Sequence, residues 1–188
     1  LEIQFTALTP TSKKGSEKKF LSRLNLDGVK THVIYYPKGY LKGIRSLNKL
    51  LQQINPDIVH SHLLHADVFV SAVKRYFKAS FTHVSTKHGY QESFTAKYGF
   101  DPSKKIKNKY WRMCRWAEKT VSRSFAISNG LKNLFVGLGI CNEDQLDLIH
   151  YGFDFEMHEK TQEKNDQLKL LIVGRITEYK GHNFAVKA

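Results

Sequence analysis

Asn55-Pro56-Asp57-Ile58-Val59-His60-Ser61-His62 reads as the end of a helix, a proline stop and a short apolar strand. Proline lacks a backbone N–H and turns the residue before it away from helical geometry. The helix that carries Leu41, Ile44, Leu47, Leu50, Leu51 and Ile54 on one face must therefore finish before Pro56. After Ile58-Val59-His60 a second helical pattern runs from about Ala66 to Phe77, so the stretch is a helix–strand–helix passage.

Working outward, the same alternation continues in both directions. Upstream, Leu1–Leu8 and Val29–Tyr36 are strand-like, separated by a polar loop with Pro10 and a helix opening at Ser16 with Phe20, Leu21 and Leu24 on one face. Downstream come a strand Phe81–Thr86, a loop from His88 to Pro102 and a long helix Ser103–Ser122 with Ile106, Tyr110, Met113, Ala117 and Val121 on its apolar stripe. Strand Ser124–Ile127, helix Asn129–Val136 and strand Leu146–His150 complete this part. Strands alternating with helices predict an α/β fold, a Rossmann-like parallel sheet with helices on both faces, over residues 1–153. Residues 154–167 are charged and aperiodic, as in a linker. The apolar stretch Leu168–Val173 then predicts the first strand of a second domain spanning 168–188.

That last strand runs into Gly174-Arg175 and then Lys180-Gly181-His182 at the opening of a helix. A planar guanidinium, a mobile ammonium, two glycines that permit close backbone approach and free helix-start N–H groups suit a diphosphate. An ordinary strand–turn–helix with two solvated cations has the same local pattern. In an open parallel sheet ligands gather at the carboxyl ends of the strands. This points to Ser61 and His62, Lys87-His88-Gly89, Ser128-Asn129-Gly130, Tyr151-Gly152 and Arg175.

The 188 residues are 41% hydrophobic and 25% charged, with no apolar run near the roughly 18 residues of a spanning helix. Cys114 and Cys141 fit neither a metal knuckle nor a disulfide framework and read as incidental thiols of a reducing compartment. The net charge of +13 calls for an anionic partner, either a phosphorylated substrate or acidic lipid head groups. Basic residues are scattered and no recognition motif appears, so nucleic acid is not expected. The chain begins without methionine and stops inside a helical pattern, and is expected to be an internal piece of a longer protein.

Five segments in order carry a resemblance to the family 4 glycosyltransferases. They are Asn55–His62, Val84-Ser85-Thr86-Lys87-His88-Gly89, Ala126-Ile127-Ser128, Ile149-His150-Tyr151-Gly152-Phe153-Asp154, and Val173-Gly174-Arg175 with Lys180-Gly181-His182. One departure stands out: Tyr151 occupies a position where the family usually has Asn. The resemblance implies two Rossmann-like domains, the first holding the acceptor and the second a UDP-, GDP- or ADP-sugar. It implies transfer with retention to a saccharide or lipid-linked acceptor in surface polysaccharide or glycolipid synthesis, with no bound metal and no cofactor. It assigns catalytic roles to His88, Arg175 and Lys180, the donor diphosphate to Gly174, Arg175, Lys180 and Gly181, and the acceptor side to Ser61, His62, His88, Gly89, Ser128 and Gly152. His88 also fits a turn histidine held by its own backbone, and Ser128 fits a helix cap. The family's glycine-rich loop and glutamate pair are absent from this sequence, so the chain alone is expected to be inactive. The expected location is cytoplasmic, with a peripheral place on the inner membrane face as one option.

Two readings from other classes compete. His60, His62, His65 and Asp67 offer three imidazoles and a carboxylate after a strand, the ligand types of a metal-dependent hydrolase. Residues 104–116 place cations and two tryptophans on a helix. With Trp111, Arg112 and Arg115 facing outward it would suit an anionic bilayer.

Overall fold

The computed structural model describes residues 2–10, 16–37, 39–90, 109–153, 171–174, 176 and 180–187. They fall into two compact units, one holding the described residues up to Tyr151 and the other those from Gly152 onward.

In the first unit every strand pair is parallel. β1 (Gln4–Thr9) pairs with β2 (Lys30–Tyr35), and β3 (Ile58–His62), β4 (Thr82–Lys87), β5 (Arg123–Ala126) and β6 (Leu146–Leu148) form a four-stranded sheet in that order. The helices between them are α1 (Ser16–Leu26), α2 (Tyr40–Ile54), α3 (Leu63–Tyr76), α4 (Lys109–Glu118) and α5 (Asn129–Gly137). This is the Rossmann-like α/β architecture expected, with one difference: β1–β2 and β3–β6 are separate hydrogen-bonded sheets. Side chains join them. Ile34, Tyr36, Leu47, Phe69, Val70, Val73 and Phe81 form one buried cluster, against which Leu8 of β1 and Val59 of β3 both pack. Burial of apolar area, not a continuous backbone ladder, therefore makes this unit one body.

Local chemistry sets the element ends. Asn55 adopts a left-handed conformation at the C-cap of α2 and donates its N–H to Leu51 O at 2.8 Å, and Pro56 then prevents continuation. Gly43 lets α2 approach its neighbours. A Cβ there would lie 2.5 Å from Phe69 Cε1 and 2.8 Å from Tyr36 Cβ.

Two expectations are corrected. The buried stripe of α4 is Trp111, Cys114, Ala117 and Glu118, whereas Tyr110 and Met113, and Val121 beyond the helix, are half-buried. Trp111 is fully buried, its ring edge-on to Phe135 at 6.0 Å and to Tyr110 at 4.8 Å. The largest apolar surface decides which face turns inward. The outward-facing membrane helix built on Trp111 is therefore not formed. Ile106 and the first turns of the expected helix lie outside the described residues.

In the second unit Leu171, Ile172 and Val173 are exposed and form no strand. A parallel strand needs neighbours for its N–H and C=O groups, and none is present among that unit's described residues. The expected helix does form, as α6 (His182–Lys187) behind a tight turn at Lys180-Gly181. The linker 154–167 lies outside the described residues.

Candidate functional site

The strand pleat sorts the carboxyl-end residues of β3, β4 and β5 onto two faces, because successive side chains point to opposite sides. The register aligns Ser61 with Ser85 and Ser85 with Ser124, while His62 aligns with Thr86 and Thr86 with Phe125. One face is a buried polar layer. The other is an imidazole cluster open to solvent.

The buried layer centres on Lys87. Its Nζ donates to Asp67 Oδ2 on α3 at 2.9 Å and to Ser85 Oγ at 2.9 Å, and lies 2.8 Å from Glu118 Oε2 on α4 as an ion pair. Asp67 Oδ1 accepts from Ser61 at 2.5 Å and from Ser85 at 2.7 Å. Glu118 Oε1 accepts from Ser124 and, at 3.1 Å, from the Cys141 thiol. Burial alone would pull the Lys87 ammonium down, but the two carboxylates outweigh it and hold the pKa above its ordinary value. His83 sits here too, its Nε2 2.8 Å from Ser61 Oγ, and burial pushes its pKa down to about 4. Since Ser61 donates its one proton to Asp67, the neutral His83 must donate from Nε2. Cys114 and Cys141 are free, buried thiols. Burial pushes Cys114 up to about 12 and raises Cys141 with help from Glu118, so neither is a nucleophile at neutral pH.

The open face holds His60, His62, His88 and Tyr151. The His60 and His62 rings lie 4.3 Å apart, and His60 Nε2 is 2.8 Å from Thr86 Oγ1. His62 Nδ1 is 2.7 Å from His88 Nε2, and His88 Nδ1 is hydrogen-bonded to the Tyr151 hydroxyl, whose ring stacks on the imidazole at 5.9 Å. Burial lowers the pKa of all three histidines, and the neighbouring imidazoles lower His60 and His62 further. Each shift favours the neutral imidazole, the form that can both donate and accept a hydrogen bond.

The structure therefore brings His62 and His88 together with Tyr151. It does not bring Ser61 to the open face: that hydroxyl is buried in the polar layer. Gly89 is exposed after β4. Ser128 accepts from the Leu131 N–H at 3.3 Å and caps α5, the second of its two readings. Gly152, Gly174, Lys180 and Gly181 belong to the second unit, where Gly181 has φ +74°, a conformation that favours glycine, and Arg175 lies outside the described residues.

The hydrolase cluster is not assembled. Asp67 is committed to Lys87 and two serines, His65 stacks on Tyr40 at 6.3 Å, and His62 Nδ1 is hydrogen-bonded to His88 Nε2. Among the described residues no three His, Cys, Asp or Glu side chains are placed to hold an ion. Nor is any described helix long and apolar enough to cross a membrane.

Sequence reading missed Lys87, Asp67 and Glu118 as a unit. The available signal was the alternation His83, Ser85, Lys87 on one strand face, which demands buried counter-charges once that face is covered.

The family model described as Glycosyltransferase Family 4 matches residues 2–157. The chain belongs to that family. Among solved structures it is similar to Anabaena Alr3699/HepE in complex with UDP-glucose, at 16% identity and a TM-score of 0.56 over 81% of this chain and 45% of that one. It is also similar to the apo form of the lipopolysaccharide outer core galactosyltransferase WaaB, at 12% identity and a TM-score of 0.57 over 88% of this chain and 50% of that one. These likenesses are of fold. The family 4 chain spans about half the length of either structure. No curated protein matches it.

Proposed function

We propose that the whole protein is a retaining glycosyltransferase that moves a hexose from a nucleotide-diphosphate-sugar to a saccharide or lipid-linked acceptor in surface polysaccharide or glycolipid synthesis. The observation that carries this reading is the neutral His62–His88–Tyr151 chain at the carboxyl edge of the sheet in a family 4 chain. Neutral imidazoles and a phenol both donate and accept, which matches sugar hydroxyls. The UDP-glucose complex of one structural neighbour and the galactosyltransferase activity named for the other support UDP-hexoses as the first donors to try.

Charge stabilisation of the leaving diphosphate needs cations that can reach it. Lys87 is enclosed by Asp67 and Glu118 and is unsuited to it. The reading assigns that work to Arg175 and Lys180, with Gly174 and Gly181 allowing close backbone approach, and requires no bound metal. His88 lies beside the transferred sugar and, with both ring nitrogens bonded to Tyr151 and His62, holds His62 towards it, and Gly89 leaves room there. In this reading the protein works in the cytoplasm, where the exposed Lys109, Arg112 and Lys119 on and beside α4 suit peripheral contact with an anionic membrane.

The test is UDP release from UDP-glucose and UDP-galactose by the whole protein and its His88→Ala variant. A fall of roughly 100-fold in kcat with unchanged circular dichroism is expected. Equal turnover by the two proteins would remove His88 from the site, and no release with any nucleotide sugar would end the transferase reading.

A further inference from the structure

We propose that Tyr151 is a positioning residue that sets the proton order of the His88–His62 pair, so that the site presents His62 Nε2–H as a fixed donor to a hydroxylated ligand. The inference rests on the glycosyl-transfer reading for the identity of that ligand, but its first step is a statement about this chain alone.

Three groups in series share two hydrogen bonds: Tyr151 hydroxyl to His88 Nδ1, and His88 Nε2 to His62 Nδ1 at 2.7 Å. Each neutral imidazole carries one N–H, so choosing the direction of one bond chooses the other. A phenol is a stronger acid than a neutral imidazole and is the better donor. Tyr151 therefore donates to His88 Nδ1, and His88 carries its proton on Nε2 and donates to His62 Nδ1. His62 is left with its proton on Nε2. His62 is exposed, and its Nε2 has no partner among the described residues, so this N–H is available to a ligand. Stacking of the Tyr151 and His88 rings, 22° from parallel, holds the pair in register. The other titratable groups around His88 are His60 on the same face and Asp67 beneath the sheet, and neither is hydrogen-bonded to it.

A phenol reaches the imidazole and stacks on it. The chain thus acquires a defined donor at its open edge through a residue that need not touch the ligand.

The experiment is ¹⁵N–¹H correlation of the histidine rings in the protein and in Tyr151→Phe, which keeps the stacking ring and deletes the hydroxyl. The expected result is a single Nε2–H tautomer for His88 and His62 in the wild type and mixed tautomers for His88 in the variant. A wild-type His88 protonated on Nδ1, or ring shifts unchanged in Tyr151→Phe, overturns the proposal. This readout needs no activity, so its failure is distinct from failure of the transferase reading. In the whole protein Tyr151→Phe should lower kcat about 10-fold with the donor KM unchanged. Mixed tautomers with an unaltered kcat would also overturn the positioning role.

Discussion

Lys87 Nζ stands 2.9 Å from Asp67 Oδ2, with the two side chains only 6% and 5% exposed, directly beneath the strand end that carries His88. The pair ties α3 to β4, and Glu118 extends it to α4. Removing the cation leaves two buried carboxylates facing each other without compensation. Lys87→Met is expected to cost about 3–5 kcal/mol in urea unfolding. A loss below about 1 kcal/mol would show that water or rearrangement replaces the ammonium and that the cluster is not structural.

Acid should destabilise the first unit through His83. Its folded pKa of about 4 lies below the unfolded value of about 6.5, so the unfolded chain takes up the proton first. The stability is fully present above pH 6.5 and is lost as pH falls towards 4, by about 3 kcal/mol. Urea midpoints at pH 7.5, 5.5 and 4.0 measure this, with His83→Gln as the control. Identical pH profiles for the two proteins would exclude His83 as the source.

Gly43→Ala tests the packing of α2. Its new methyl would meet Phe69 and the Tyr36 Cβ well inside van der Waals contact, and Phe69 is itself fully buried and cannot swing away. Overpacking of this kind costs about 1–3 kcal/mol. An unchanged melting temperature would mean that the α2–α3 interface has slack.

Leu63 has φ +72° although it is not glycine, and its side chain is 60% exposed beside His62. Leu63→Gly relieves backbone strain and gives up little burial, so a gain of about 0.5–1 kcal/mol is expected from thermal unfolding. A loss of stability would show that the leucine makes contacts worth more than the strain. Improved stability together with weaker transfer by the whole protein would place Leu63 at the ligand edge.

The alternation of elements was legible because helix and strand write different periods into a sequence, and Pro56 and Ser128 mark boundaries by chemistry that acts within a few residues. The run Asn55–His62 was enough to place a helix end, a strand and a pair of imidazoles on one face, and those survive in the folded protein. The helix at residues 109–118 was read with its stripe one residue off, because Tyr110-Met113 and Trp111-Cys114 are both apolar at helical spacing. Only the packing of the Trp111 ring against Phe135 distinguishes them.

By itself the sequence determined the alternation of strands and helices in the first unit, the parallel sense of its strands and the family, all of which follow from local periodicity and short motifs. The tertiary structure alone decided that Ser61 is buried, that Asp67 serves Lys87 and not a metal, and that Tyr151 completes a chain with His88 and His62. The partners in these contacts are 6, 20 and 63 residues apart. What joins them is the pleat and register of neighbouring strands, which allocates each side chain to a face, and the packing of α3 and α4 against one of those faces, which determines which charges must be matched.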